Sequence, residues 1–484
     1  MAVEYDLVVI GGTAAGLSAA IAAARLQARV ALVVTDPLAA KTFWSTQTLM
    51  EVGRMAAQAR SASQFGIDAE IATLVSGSSV RFDQAIKWAE TVVATLAEQH
   101  SPAVLASLGI EVIFETGQFN HQPDLNFSLA RRQLRSRAYL IATGTDSLQL
   151  DIEGLAAAGY LTCNHLLSQL RTTDQQWPQD IVVIGGGPTA IELSQTLMRL
   201  GCCVTIVTQS PHILALEDPE AASLIQAQLE AEGARILTHS KVTAVKQLEG
   251  QKKLVLAGEQ QVEAKEILLA IDQSCDREFL NLEAVGVQFT QRGIWVNDKL
   301  QTSNPQIYAC GDRLGGYPLS HVATYEAGIA LKNALFWPIF KVDYRFIPWA
   351  IFTQPELARV GLTEIQARRR YGQQVYILRQ FYKTVERAQI RGETSGFCKI
   401  IVQRNGRILG AHLVGPAAGE VIHLVAFAMK HRLKVSALAD LVHISPTLSE
   451  INFKTASAWQ NLKQYPGRQN FWENLFNLRR TWSS

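Results

Sequence analysis

Cysteine is scarce in this chain of 484 residues, and it is absent from the first third. The six cysteines are Cys163, Cys202, Cys203, Cys275, Cys310 and Cys398. No two of them have CxxC or CxxxxC spacing, which argues against a zinc site and a local redox pair. No metal is expected. The adjacent Cys202 and Cys203 read as small buried hydrophobes at the start of a strand. Long apolar runs are also missing. Residues 16–34 come nearest, but Arg25, Gln27 and Arg29 interrupt them, and a membrane-spanning helix needs about 20 nearly continuous apolar residues. Charge is not massed either: the formal net charge is +2 with no long basic block, which argues against nucleic acid as a partner. Glu4 and Asp6 stand where a secretory signal would be basic and then apolar, so a soluble cytoplasmic protein is expected.

What is present suits a packed globular protein, 48% hydrophobic and 18% charged. The length exceeds what one core supports, so several domains are expected. YDLVVI at residues 5–10 reads as a buried parallel strand, followed by an Ala-rich helix to Arg25 and a second strand over residues 29–34. The same βαβ pattern recurs with a strand over residues 181–184, a helix over residues 191–200 and a strand over residues 203–207. Between them, residues 49–100 carry helical periodicity. Beyond Pro348, strands such as residues 397–402 alternate with amphipathic helices such as residues 420–431. That last third reads as a separate α+β module.

A Gly-rich turn between strand and helix brings backbone N–H groups and a helix N-terminus to a diphosphate. The first turn is Gly11-Gly12-Thr13-Ala14-Ala15-Gly16. Gly11 suits the tight turn and Gly16 close helix–strand packing, but Thr13 takes the place of the middle glycine. It is expected to shift the backbone or add a hydroxyl contact. The ribose-binding acid is displaced too: Val34 ends the second strand and Asp36 follows. Asp36 either reaches a ribose or opens a turn with Pro37. The second turn, Gly185-Gly186-Gly187-Pro188-Thr189-Ala190, has the GxGxxA form. Its next strand ends in Thr208-Gln209-Ser210 with His212 nearby and no acid. An acid there would repel a 2′-phosphate, so NADPH is favoured, with NADH the alternative.

Further motifs make the chain resemble the pyridine nucleotide–disulfide oxidoreductase family over nearly all of residues 4–460. Residues 141–144 (IATG) match its ATG turn, with Thr143 and Gly144. Residues 307–312 (IYACGD) match its second FAD motif, whose Gly311 and Asp312 are implied to meet the ribityl chain. Residues 319–323 (LSHVA) resemble the stretch beside the flavin, which implicates His321 and Ala323. Residues 352–356 and 360–364 resemble the opening of the family's dimerisation domain, and residues 396–399 and 409–412 continue it. The resemblance implies an α/β fold with two Rossmann-like domains and a C-terminal α+β dimerisation domain. It implies FAD and NADPH or NADH as cofactors, and a homodimer. The expected division is residues 1–150 and 275–343 for FAD, 151–274 for NAD(P)H, 344–463 for dimerisation, and 464–484 as an amphipathic tail.

The departures from the family are as specific as the matches. The family's CxxxxC disulfide falls within residues 39–48, here AAKTFWSTQT without sulfur. Thiolate attack is how such a pair exchanges electrons with a disulfide. The family's His-Pro-Thr-x-Ser-Glu motif appears as Ser445-Pro446-Thr447-Leu448-Ser449-Glu450. The base is replaced by Ser445, and His443 is either a substitute or a structural histidine. Glu192 matches the acid near the nicotinamide–flavin contact, or else it merely caps or is solvated; its usual lysine partner is replaced by Gln47 or Thr48. In the tail, Phe471, Trp472, Leu475, Phe476, Leu478 and Trp482 share one helical face, expected to pack on the protein's own body, with a membrane surface or a protein partner as alternatives.

The function expected is FAD-dependent NAD(P)H oxidation, with electrons passed directly to a small acceptor such as a quinone. A transhydrogenase-like enzyme and a catalytically silent flavin- and nucleotide-sensing protein are the alternatives.

Overall fold

Strands rich in Val, Ile and Leu and buried on both faces favour parallel sheets covered by helices, and two such sheets form here. The computed structural model describes residues 3–35, 39–66, 82–122, 124–144, 152–163, 166, 179–248, 251–256, 261–271, 279–462 and 466–482. The chain divides into two compact units, Met1–Ile213 with Glu232–Val342, and Leu214–Ala231 with Asp343–Ser484.

In the first unit, β1 (Tyr5–Ile10), α1 (Ala14–Arg25), β2 (Val30–Val33), α2 (Ala39–Ser61), α3 (Phe82–Glu98), β3 (Ile110–Ile113) and β4 (Ser136–Ile141) build most of one sheet. Next come β5 (Leu161–Thr162), β6 (Asp180–Ile184), α4 (Pro188–Arg199), β7 (Cys203–Val207), β8 (Arg235–Leu237), β9 (Glu266–Leu269), β10 (Ile307–Ala309) and α5 (Ser320–Leu335). The first sheet has the order β10-β4-β1-β2-β3 and the second β8-β7-β6-β9-β5, with every pair parallel. In both, the Gly turn leaves the carboxyl end of the strand where the order reverses, the usual place for a dinucleotide. Alternate residues of β1 point to opposite faces. Leu7 and Val9 meet the alanines of α1, while Val8 and Ile10 meet Phe119 and Phe127.

Two sequence expectations change in this unit. The second Gly-turn helix begins at Pro188 rather than at residue 191, with Gly187 as its N-cap. Proline's fixed φ and missing N–H suit the first helical position, a cue that counting apolar residues misses. Cys202 is buried as expected, but Cys203 is exposed.

The second unit holds β11 (Pro348–Ile351), β12 (Glu356–Gly361), β13 (Val375–Phe381), β14 (Phe397–Gln403) and β15 (Ile408–Gly415), antiparallel in the order β11-β12-β15-β14-β13. Helices α6 (Ala418–Lys430) and α7 (Glu450–Leu462) contribute Val425, Met429, Ile451 and Trp459 to its core. The helix Pro219–Ala231 also belongs to this unit. Lys399 reaches Asp218 Oδ1 at 3.0 Å and Glu220 Oε2 at 2.8 Å, and Arg359 reaches Glu217 Oε2 at 3.2 Å. The tail forms α8 (Pro466–Trp482), and every residue from 473 to 482 is exposed, with Trp482 85% accessible. That part of the apolar face therefore does not pack on the protein's own body. Among the described residues, no helix is long and apolar enough to cross a membrane.

Candidate functional site: two dinucleotide turns

The β1–α1 turn is held in a shape that side chains would prevent. Gly11 has φ +123°, and a Cβ there would lie 2.2 Å from the Ala142 carbonyl oxygen; at Gly16 a Cβ would lie 2.0 Å from the Gly11 carbonyl oxygen. Thr13 is the N-cap of α1. Its hydroxyl donates to the Ala142 carbonyl at 2.8 Å and accepts from the Gly16 N–H at 3.3 Å. The expected hydroxyl contact exists, but it is made within the protein, and it occupies one N–H that a phosphate would otherwise use. Val34 closes on Gly12, where an added Cβ would lie 2.9 Å from Val34 Cγ1. Asp36 lies outside the described residues. A cleft lined by Phe114, Glu115, Thr116, Ala130 and Arg131 opens just beyond β3.

The ATG turn and the second FAD motif converge on the same place. Gly144 has φ +70°, with Thr13 Cγ2 3.5 Å from where its Cβ would be. Arg313, only 3% exposed, donates from Nε to Thr143 Oγ1 at 2.8 Å. The Gly311 N–H donates to the buried Glu326 carboxylate at 2.7 Å, and a Cβ on Gly311 would lie 3.2 Å from that of Ala323. Ala323 is buried and His321 exposed, both in the first turn of α5. Burial pushes the Asp312 carboxyl above its ordinary pKa, as expected of a desolvated acid. Arg313 and Glu326 were not foreseen. Arg313 directly follows the Gly-Asp pair, but nothing in the sequence marks Glu326.

The β6–α4 turn repeats the device in more regular form. Gly185 has φ +139° with a Cβ position 2.0 Å from the Ala270 carbonyl oxygen, and an added Cβ on Gly186 would lie 2.7 Å from Thr208 Oγ1. Thr208 is buried and accepts from the Ser210 N–H at 3.3 Å. Gly187 caps α4 without a side chain, and Ala190 is buried behind it. Neither α1 nor α4 has an acid in its first turn, so both N-termini suit a diphosphate. The residues of both turns fit a dinucleotide.

A family model described as pyridine nucleotide-disulphide oxidoreductase matches residues 5–327, and the model for that family's dimerisation domain matches residues 347–456. The chain belongs to the pyridine nucleotide-disulphide oxidoreductase family. It is accordingly a flavin-dependent NAD(P)H oxidoreductase with FAD and NAD(P)H as cofactors, and its dimerisation domain makes it a homodimer. Mercuric reductase from Staphylococcus aureus is 30% identical over 447 residues, 90% of this chain and 79% of that one. Dihydrolipoyl dehydrogenase from Bacillus subtilis (strain 168) is 29% identical over 453 residues, 92% and 96% of the two chains. Among solved structures, LpdA from Mycobacterium tuberculosis is similar with a TM-score of 0.83 and 25% identity, covering 94% of this chain and 99% of that one.

In this flavoenzyme the remaining sequence candidates are distributed as follows. Glu192 is half-buried on α4, four residues before Thr196 and so on the same face. That face meets α2, since a Cβ on Gly53 would lie 3.4 Å from Thr196 Cγ2. His443 and Glu450 belong to the second unit. His443 Nε2 and Glu450 Oε2 are both buried without a hydrogen-bond partner, and the His443 ring lies 5.6 Å from that of Phe453. Ser445 is exposed.

Proposed function

We propose that this flavoenzyme passes electrons from a nicotinamide nucleotide directly to a small acceptor, a quinone, without disulfide chemistry. The condition of its thiols carries the reading. Residues 39–48 lie in α2 and contain no sulfur. The five described cysteines are all free. Burial pushes Cys163 and Cys398 up to about 12 and raises Cys310 well above the usual thiol range. A thiol that stays protonated is a poor nucleophile in exchange, whereas a quinone takes electrons from a flavin without a relay.

The reaction balances as NAD(P)H, one proton and a quinone giving NAD(P)⁺ and a quinol. When bound, FAD supplies the two-electron relay between the two substrates. Gly11, Gly12, Thr13, Gly16, Thr143, Gly144, Gly311 and Asp312 would hold it, with His321 and Ala323 beside its ring and Asp36 at a ribose. Gly185, Gly187, Ala190, Thr208 and Ser210 would hold the nicotinamide nucleotide. Thr208, in place of an acid, leaves a 2′-phosphate unopposed and favours NADPH. Glu192 would orient the nicotinamide, and His443 with Glu450 would manage protons. The corresponding division is residues 1–150 with 275–343 for FAD, 151–274 for NAD(P)H and 344–463 for the dimer contact.

Anaerobic stopped-flow mixing with NADH and NADPH tests the reading. Rapid bleaching of the flavin absorbance, reversed by a quinone and not by a disulfide, is expected. N-ethylmaleimide applied to the reduced enzyme should change quinone turnover by less than about twofold. Reoxidation by a nicotinamide nucleotide alone would point to a transhydrogenase. No bleaching with either nucleotide would leave a silent flavin- and nucleotide-sensing protein.

A further inference from the structure

Strand β10 stops pairing just before the chain reaches Asp312. The last ladder bond to β4 runs from the Cys310 N–H to the Ile141 carbonyl at 3.0 Å. The chain then turns through Gly311 at φ +78° and ψ −153°, a combination open essentially to glycine alone. Residues 312–314 follow as a short 3₁₀ turn, closed by the Leu314 N–H on the Gly311 carbonyl at 3.0 Å. Among residues 307–313, Asp312 alone keeps appreciable accessible surface, and its neighbours on both sides are buried.

Past the ladder the Gly311 N–H needs an acceptor, because a buried donor left unpaired is costly. Glu326 supplies it, taking that bond on Oε2 at 2.7 Å while only 4% exposed itself. An acid is an unfavourable choice at this place. Its neighbours on α5 are the buried Val322, Ala323, Ala327 and Ala330, and an apolar residue would pack there without desolvating a charge. What the acid adds is a charge-assisted bond, shorter and stronger than a neutral one, to the residue that precedes Asp312. The residue that follows Asp312 is fixed as well. Arg313 is 3% exposed and donates from Nε to Thr143 Oγ1 at 2.8 Å, and its carbonyl accepts from the Ile294 N–H at 2.8 Å. One pin therefore runs to α5 and the other to the ATG turn, with Asp312 between them.

We propose that Glu326 and Arg313 are positioning residues that hold the Asp312 carboxylate in place for the hydroxyls of the FAD ribityl chain. The proposal rests on the assignment of Asp312 to FAD made above, and adds the two buried side chains through which that contact is preorganised. A carboxylate whose backbone is held from both sides loses little freedom on binding, so the pins act on cofactor affinity without touching the cofactor.

The test uses the purified FAD-loaded dimer. Flavin fluorescence on serial dilution gives the Kd for FAD, and calorimetry at saturating FAD checks that each variant is folded. Asp312→Ala and Glu326→Leu should each raise that Kd by about tenfold or more. Glu326→Gln keeps a carbonyl acceptor at the same reach and should stay within about threefold of the parent. A tenfold loss in Glu326→Gln would overturn the hydrogen-bond account. The double variant Asp312→Ala with Glu326→Leu separates positioning from plain stability. If Glu326 acts through Asp312, the double variant binds FAD within about twofold of Asp312→Ala alone, whereas two effects that multiply overturn the proposal. Arg313→Met, carried through the same cycle, tests the second pin and decides alone if Glu326→Leu does not fold. An unchanged Kd in Asp312→Ala would overturn the assignment of Asp312 to FAD. Weakened binding in Asp312→Ala, with Glu326→Leu and Arg313→Met unchanged, would overturn the pins and leave that assignment standing.

Discussion

Replacing Lys399 by Met would remove a cation shared by three carboxylates inside the second unit, of which Glu220 and Glu364 would keep Arg379 and Arg368. Lys399 Nζ lies 3.0 Å from Asp218 Oδ1, 2.8 Å from Glu220 Oε2 and 3.5 Å from Glu364 Oε2. The Lys399 side chain is 5% exposed and that of Asp218 3%. Burial works against the lysine's charge, but the Glu220 and Asp218 carboxylates outweigh it and hold its pKa above the usual value. Glu220 and Glu364 are partly solvated and would recover much of their hydration. Asp218 would keep only what its other contacts supply, including the Glu220 N–H at 3.2 Å. Breaking a buried pair from one side costs about 3–5 kcal/mol. A unit of this size loses about 2–4 °C per kcal/mol, so the thermal midpoint should fall by about 6–20 °C in calorimetry at pH 7 and constant flavin loading. The double variant Lys399→Met with Asp218→Asn should regain more than half of the loss, because Asn retains the helix cap while removing the unpaired charge. A fall of less than about 2 °C in the single variant would refute this account of the cluster.

The same cluster governs acid sensitivity. Burial lowers the His412 pKa to about 4, with Asp218 opposing that shift and Arg359 and Lys399 reinforcing it. The unfolded chain takes up this proton near 6.5, so stability should fall as pH drops from about 6.5 and level off below about 4. The loss amounts to about 3 kcal/mol. Urea midpoints across that range, with His412→Leu flattening the slope, check the sign and the source. At the first turn, Thr13→Val deletes the hydroxyl that caps α1 and bonds Ala142, and should cost about 1–2 kcal/mol. It should also lower the flavin-to-protein absorbance ratio, whereas Thr13→Ser keeps both.

The glycine turns were legible because their geometry excludes side chains. Gly11, Gly185 and Gly311 all adopt positive φ, a demand that glycine meets without strain. Val34 and Thr208 were legible as missing acids for the same reason, being fixed at strand ends by the length of the βαβ unit. Contacts between distant positions were not legible. Lys399 and Asp218 stand 181 residues apart, and each alone reads as an ordinary surface charge. Cys203 shows the limit at single-residue scale. Adjacent strand residues face opposite ways, so one of a consecutive pair can be buried while the next is exposed. The tail's amphipathic pattern was correct as a pattern, but a pattern does not say what covers the apolar face.

The two turns also differ in what they leave for a nucleotide to do. At equivalent positions, Val34 packs on Gly12 and Thr208 on Gly186, so neither strand end offers the ribose-binding carboxylate. In the second turn the Thr208 hydroxyl remains as a polar group, and Gly187 leaves the α4 N-terminus without a side-chain cap. In the first, Val34 is apolar and Thr13 already satisfies the Gly16 N–H. In the proposed function, hydrogen bonding to FAD would then fall more heavily on the converging Gly311-Asp312 segment. Asp312 is suited to that task because burial alone raises its pKa: a desolvated carboxylate gains most from hydroxyl donors brought to it. In the proposed function, the self-capped first turn and the buried Asp312 would together put the weight of FAD binding on the ribityl chain rather than on the phosphates.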